Sequence, residues 1–194
     1  IPDIGLNHII DKLTNIKDLS GIIIEDYNKG TITNQMLDAI NTFSVKKNIP
    51  VYVDPKKDNF FLYKGVTVFK PNKKEASQAL GISIKTDEDV KSAGKKLLQM
   101  LECDNVLITL GAQGMMLFER NGVISSVTTK ARHVADVSGA GDTAIATLAA
   151  TMSGGADIRE ASVMANYAAG IVCEKPGIVS IDIDELIESI WKNR

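Results

Sequence analysis

Asp136-Val137-Ser138-Gly139-Ala140-Gly141-Asp142-Thr143 runs directly into Ala144-Ile145-Ala146-Thr147-Leu148-Ala149-Ala150, a glycine-rich turn opening a small-residue, apolar helix. A helix start of this kind leaves backbone N–H groups without partners, and these groups together with the helix dipole favour an anion. Gly139 and Gly141 permit unusual backbone angles and let a phosphate approach the main chain closely. Asp142 is the odd member, because a carboxylate in an anion site repels phosphate. It therefore has either a capping role or a chemical one, that of a general base taking the proton from an attacking hydroxyl. Gly139-x-Gly141-x-x-Ala144 also matches the dinucleotide fingerprint formally. That fingerprint should open a strand–helix–strand unit, whereas a second helical stretch follows here. A Walker loop is excluded, since the chain has no Gly-Lys-Ser/Thr.

Upstream of that turn, β-prone runs alternate with helical patterns. Leu6, Ile9, Ile10, Leu13 and Ile16 recur at helical spacing and predict a first amphipathic helix, entered directly from Ile1-Pro2. Gly21-Ile22-Ile23-Ile24 reads as a buried parallel strand. Glu25-Asp26-Tyr27-Asn28-Lys29-Gly30 lies at its C-terminal end, the edge where open α/β sheets bind ligands. Thr33 or Asn34 caps a helix running to Lys47, with Met36, Leu37, Ile40 and Phe43 inward. Val51-Tyr52-Val53 is the next strand, left by Asp54-Pro55-Lys56, and Val66-Thr67-Val68-Phe69 a third, ending in Lys70-Pro71-Asn72-Lys73-Lys74-Glu75 and a helix. Thr86-Asp87-Glu88-Asp89 opens another helix with an acidic first turn that suits the dipole.

Val106 to Leu110 is again a buried strand, followed by Gly111-Ala112-Gln113-Gly114. Asn121-Gly122 predicts a hairpin between Met115–Glu119 and Val123–Thr129. A helix from Asp157 to Cys173, a break at Pro176-Gly177 and a last helix from Asp184 to Trp191 complete the pattern. The fold expected is α/β, a three-layer sandwich on a mostly parallel sheet.

In a parallel sheet the strand ends converge on one edge. Asp26 and Lys29, Asp54 and Lys56, Asn72 and Glu75, and Thr109 and Gly111 are then candidates to face one ligand. Each taken singly is also an ordinary turn former; their recurrence at successive strand ends favours a shared site. Asn72 and Glu75 sit on one face of a helix's first turn, where Glu75 is also an ordinary helix-start residue favoured by the dipole.

The 194 residues, 44% hydrophobic, are enough for one domain with a real core. A net charge of −2 with interspersed signs gives no electrostatic case for nucleic acid or an anionic membrane. Cys103 and Cys173 lie far apart without metal spacing and read as buried hydrophobes of a reducing, cytoplasmic compartment. No signal peptide and no run of transmembrane length is visible.

The Asp-x-Ser-Gly-Ala-Gly-Asp-Thr stretch resembles the C-terminal signature of the ribokinase-like (PfkB) carbohydrate kinases, with Val137 in place of the commoner Thr. The resemblance implies a ribokinase-like fold, an anion hole of Gly139, Ala140 and Gly141 amides, and Asp142 as catalytic base. Asn72-Lys73-Lys74-Glu75 is similar to the family's Asn-x-x-Glu motif, implying that Asn72 and Glu75 help hold Mg²⁺ and the ATP phosphates, partly through water. Thr109 to Gly114 is similar to the family's nucleotide loop, implicating Thr109, Gly111 and Gly114; Asn166 matches a position beside the adenine pocket, and Lys175-Pro176-Gly177 finishes that pocket. Asp26-Tyr27-x-Lys29-Gly30 and Asp54-Pro55-Lys56…Tyr63-x-Gly65 resemble the heptose-7-phosphate kinase branch of the family, which serves lipopolysaccharide cores. On that resemblance Asp26, Lys29, Asp54 and Lys56 would bind the sugar phosphate. Residues 1–194 would be the C-terminal nucleotide-binding and catalytic portion of a single kinase domain, the first strands and β lid being absent and the full-length protein a homo-oligomer. A ribose, fructose or nucleoside kinase, or a nucleotide-binding module silent by itself, are the alternatives.

Overall fold

A computed structural model of the chain describes residues 3–129 and 135–192. Ile1, Pro2 and the side chain of Leu6 lie outside what is described. The elements run α1 (Asp3–Asn15), β1 (Ile22–Glu25), α2 (Asn34–Lys47), β2 (Val51–Asp54), β3 (Val68–Phe69), α3 (Lys73–Leu80), α4 (Asp87–Leu101) and β4 (Asn105–Thr109). After a short 3₁₀ turn at Gly111–Gln113 come β5 (Met115–Glu119), β6 (Ile124–Val127), α5 (Ala140–Ser153), α6 (Ile158–Cys173) and α7 (Ile183–Lys192).

Among the described residues the strands form one sheet in sequential order, β1 to β6. β1 through β4 are parallel, and β5 and β6 add an antiparallel hairpin. Parallel neighbours taken in chain order with right-handed crossovers put every connecting helix on the same face. The cores agree, because side chains alternate across a strand. Val51, Val53, Phe69, Val106, Ile108, Met116 and Phe118 pack with Ile40 of α2, Ala76 of α3 and Val90, Ala93, Leu97 and Leu101 of α4. Tyr52, Val68, Leu107, Met115 and Leu117 pack on the opposite face with Ala144, Ile145 and Leu148 of α5 and Ala161 and Ala165 of α6. The result is a helix–sheet–helix sandwich. α7 closes the end, seating Leu186 on Ala168 and Ile171.

Local chemistry sets the helix ends. Thr33 accepts a hydrogen bond from Met36 N at the start of α2, and Thr86 and Asp157 close reciprocal capping boxes at α4 and α6. β3 is shorter than the run Val66–Phe69, for a definable reason. Thr67 N still donates to Val51 O at 2.9 Å, but Val51 N donates to the Thr67 side chain at 3.0 Å and Asn105 Nδ2 to the Thr67 carbonyl at 3.0 Å, so side chains share the pairing there. Ile16, counted as a helical inward position, falls beyond α1 and is exposed. β1 reaches one residue further than expected and includes Glu25.

α4 approaches the sheet through Gly94. A β-carbon there would lie 2.3 Å from two ring carbons of the fully buried Phe118. In an open helix Gly→Ala gains about 1 kcal/mol, but overpacking a closed core costs about 1–3 kcal/mol. Gly94→Ala is therefore expected to lower the thermal midpoint, and a raised midpoint would show that the helix moves off the sheet without cost.

Candidate active site

α5 begins at Gly139, whose φ of 78° is left-handed, and no side chain caps it. Its first N–H groups are thus presented at the C-terminal edge of the sheet, beside β2 and β3. Asp142 is the third residue of α5, where a capping carboxylate could turn back on the helix start. Instead its Oδ2 accepts a 2.9 Å hydrogen bond from the Tyr27 hydroxyl, which sets the capping alternative aside. α5 is followed by α6 and not by a strand, so the dinucleotide alternative falls as well.

Strand parity decides what stands around this turn. Asp54 follows Val53, and Lys70 follows Phe69, so both return to the face of Tyr52 and Val68, which is the α5 face. Glu25 pairs in register with Asp54. Lys70 is 3% exposed and its ammonium lies 3.4 Å from Asp54 Oδ2. A β-carbon on Gly141 would stand 3.6 Å from Lys70 Nζ and 3.7 Å from Asp54 Oδ2, so the ion pair abuts the helix start. Burial raises the Glu25 carboxyl above its ordinary range, and the charges of Asp142 and Asp54 add to the effect.

Lys56 extends the charge chain. Its ammonium lies 3.6 Å from Asp54 Oδ1 and 2.9 Å from Glu75 Oε1. Burial opposes its charge, but Glu75 and Asp54 outweigh that and raise its pKa. Glu75 Oε2 accepts from Asn72 N at 2.8 Å while Asn72 Oδ1 accepts from Glu75 N at 2.8 Å, a complete capping box on α3. Among the described residues no group of three or more His, Cys, Asp or Glu is arranged to hold a metal. The donor set of Asn72 and Glu75 fits a hydrated Mg²⁺ held through its waters and substrate phosphates, and does not fit a bare ion in a protein cage.

On the other side of α5 a cavity of about 220 Å³ opens between the Thr109–Gly114 loop and α6. Thr109, Gly111, Gly114, Ala140, Gly141 and Asn166 line it, together with Ala112, Met115, Val137, Ala144, Ala169, Gly170 and Cys173. Its wall is mainly apolar, which suits a flat heterocycle. Gly114 is required there: its φ is 90°, and a β-carbon would meet Val127 O at 2.0 Å. Asn166 donates its amide to Thr128 O at 2.9 Å, so it braces the end of β6 while lining the wall. Thr109 bridges to Asn72, joining the loop to the start of α3. Gly141 belongs to both the cavity and the charged cluster, which therefore meet at the start of α5.

Two expected residues behave differently. Asp26 is 3% exposed, and its carboxylate accepts from Asn28 N at 2.8 Å, Asn59 Nδ2 at 2.9 Å and Tyr63 Oη at 2.6 Å. It holds the turn after β1 from beneath. Lys29 is exposed on the same turn. Cys103 is buried as expected, and burial pushes its thiol up to about 12, whereas Cys173 is half-buried in the cavity wall. Sequence reasoning missed Tyr27, Lys70 and Glu25 as site residues. Lys70 stands at a strand end like Asp54, so the same positional rule would have found it.

This arrangement, an uncapped helix start bearing a carboxylate beside a buried lysine and an apolar cavity, belongs to a recognisable class. The chain is a member of the pfkB family of carbohydrate kinases, whose pattern it matches over residues 14–185. Its architecture is shared with phosphofructokinase-2 from Escherichia coli in complex with potassium, at a TM-score of 0.86 and 16% identity over 99% of this chain and 63% of that one. It is shared also with Arabidopsis thaliana ribokinase complexed with ribose and ATP, at a TM-score of 0.78 and 21% identity over 98% of this chain and 59% of that one. At such identities the likeness shows the ribokinase-like fold. In sequence the chain is similar to the bifunctional protein HldE of a Nitratiruptor species, 41% identical over 173 residues that make up 89% of this chain and 36% of that protein. The HldE of Geobacter sulfurreducens is 40% identical over 169 residues, 87% of this chain and 34% of that protein. The chain thus spans about a third of the length of these relatives. Among the described residues no helix is long and apolar enough to cross a membrane.

Asp54 carries two cations, one of them buried. Asp54→Asn leaves Lys70 without its carboxylate, and breaking a buried pair from one side costs about 3–5 kcal/mol. The double variant Asp54→Asn/Lys70→Met is expected to recover most of that loss in a denaturant titration. A single variant as stable as the parent would show that water already solvates Lys70.

Proposed function

We propose that the protein carrying this chain transfers the γ-phosphate of ATP to a sugar, and that the acceptor is the anomeric hydroxyl of a heptose 7-phosphate. One observation carries the reading: the Asp142 carboxylate stands in the first turn of an uncapped helix whose start abuts the buried Lys70. An anion site with its own carboxylate suits phosphoryl transfer to a hydroxyl, because a phosphate and a proton acceptor are needed side by side.

The adenine occupies the cavity beside Asn166, and the triphosphate runs past Gly141 toward the charged cluster. Asp142 takes the proton from the acceptor hydroxyl as its oxygen bonds to the γ-phosphorus; the bond from that phosphorus to the β–γ bridging oxygen breaks, and ADP leaves. The amides of Gly139, Ala140 and Gly141 and the ammonium of Lys70 hold the charge on the transferred group in place, the fixed electrostatics that such reactions depend on. Asn72 and Glu75 would hold a hydrated Mg²⁺, which when bound neutralises phosphate charge. The choice of sugar is supported by the turn after β1, the Asp54-Pro55-Lys56 stretch and the HldE relatives.

The two lysines offered for the sugar phosphate now divide. Lys56 is engaged by Glu75 and Asp54, so it serves the charge chain, while Lys29 on the exposed turn is the cation for the 7-phosphate. Lys29→Ala is expected to raise KM for heptose 7-phosphate roughly 10- to 100-fold, the size of a charge-assisted hydrogen bond, with KM for ATP little changed. Equal effects on both would remove the assignment.

Asp142→Asn is expected to bind ATP like the parent and to lower kcat by about 10²–10⁴-fold, the usual contribution of a general base. The measurement is phosphate transfer followed by ³¹P NMR, with heptose 7-phosphate, fructose 6-phosphate and ribose as acceptors. Preference for another acceptor replaces the heptose reading with another sugar kinase. ATP binding with no transfer to any acceptor leaves a nucleotide-binding module.

A further inference from the structure

We propose that Tyr27 is the positioning residue of the base: its hydroxyl donates to Oδ2 of Asp142 and so turns Oδ1 toward the acceptor's hydroxyl. The inference rests on the kinase reading above, in which Asp142 takes the proton. The two residues are 115 positions apart and meet at 2.9 Å, a contact that no local rule produces.

The turn that carries Tyr27 is built to aim it. The alternation of β1 continues past its end: Ile22, Ile24 and Asp26 are buried, and Ile23, Glu25 and Tyr27 occupy the other parity. In register, Ile23 lies beside Tyr52, whose face is covered by α5, so Tyr27 is delivered toward α5. Below it, Asp26 N donates to Asp54 O at 3.1 Å and the Asp26 carboxylate takes its three hydrogen bonds, from Asn28, Asn59 and Tyr63. Burial alone would raise the Asp26 carboxyl, but those bonds bring its pKa below the ordinary value, so it holds the turn as a carboxylate at neutral pH. Asn28 at φ 52° and Gly30 at φ 76° reverse the chain directly afterwards. The turn is therefore anchored from inside while the Tyr27 ring stays outside, 55% exposed.

That exposure separates function from fold. A half-exposed phenol adds little to the core, and the turn keeps its Asp26 anchors without it. What the hydroxyl does is restrict a carboxylate that would otherwise rotate freely, and the alignment of reacting atoms is read in rate. An ionised carboxylate can only accept, so the phenol is the donor, and that hydrogen bond raises the Tyr27 phenol above its ordinary range.

The test uses the protein that carries this chain, with ATP and heptose 7-phosphate. Tyr27→Phe is expected to lower kcat about 10-fold, with the melting temperature and KM for ATP unchanged. In the Asp142→Asn background the same change should have no further effect, since there is no base left to position. Unchanged kcat in Tyr27→Phe, or an equal loss in both backgrounds, overturns the inference. If Asp142→Asn keeps full activity, the base reading itself fails; if it is slow while Tyr27→Phe is not, the inference about Tyr27 alone fails. Ring-labelled tyrosine NMR makes the contact testable without a substrate. The Tyr27 phenol, assigned by its loss in Tyr27→Phe, should titrate at lower pH in Asp142→Asn than in the parent, and identical titrations would refute the contact.

Discussion

The structure depends on one unsatisfied helix start. α5 follows a left-handed glycine with no capping side chain, and apart from Ala140 N, which donates to Val137 O at 3.3 Å, its first N–H groups face the C-terminal edge of a parallel sheet. A helix end in this state is tolerated because a ligand can complete it. The parallel strands matter to it through their ends. β1, β2 and β3 run the same way and deliver Glu25, Asp54 and Lys70 to the edge that the helix faces.

The charges around that helix start are paired before any ligand arrives. Glu75, Lys56, Asp54 and Lys70 alternate in sign from the cap of α3 to the first turn of α5. A buried ammonium without a partner is costly. Asp54 supplies that partner for Lys70 at 3.4 Å, and the pair abuts Gly141. Lys56 is likewise held between two carboxylates, Glu75 at 2.9 Å and Asp54 at 3.6 Å. Asn72 and Glu75 cap α3 with reciprocal bonds, and Glu75 Oε1 also takes the Lys56 ammonium at 2.9 Å.

Much of the fold was legible in the chain. Val51-Tyr52-Val53 and Val106 to Leu110 are β-branched apolar runs that only a doubly covered sheet can bury, and Asn121-Gly122 demanded a hairpin. Thr33, Thr86 and Asp157 announced helix starts through chemistry contained within four residues. In the site, Gly139, Gly111 and Gly114 carried their meaning in backbone terms, since each takes a positive φ that favours glycine, whereas Gly141 takes an ordinary helical conformation with room for a β-carbon. Residues defined by what they touch were less legible. Asp26 and Lys56 were read as facing a ligand because they sit at strand ends; Asp26 follows the buried parity of Ile22 and Ile24 inward, and Lys56 meets Glu75 from another element.

By itself the sequence determined the order of strands and helices, the glycine turn with its carboxylate, and the family to which these belong. Those features arise from interactions within a few residues, namely periodicity, capping and backbone freedom, which any stretch of chain expresses locally. Only the tertiary structure decided that Tyr27 bonds Asp142, that Lys70 is buried against Asp54 beside Gly141, and that the charged cluster and the apolar cavity share one helix start. The reason is physical. A polar side chain takes whichever partner is placed across from it, and that placement follows from strand register and helix packing rather than from its neighbours in the chain.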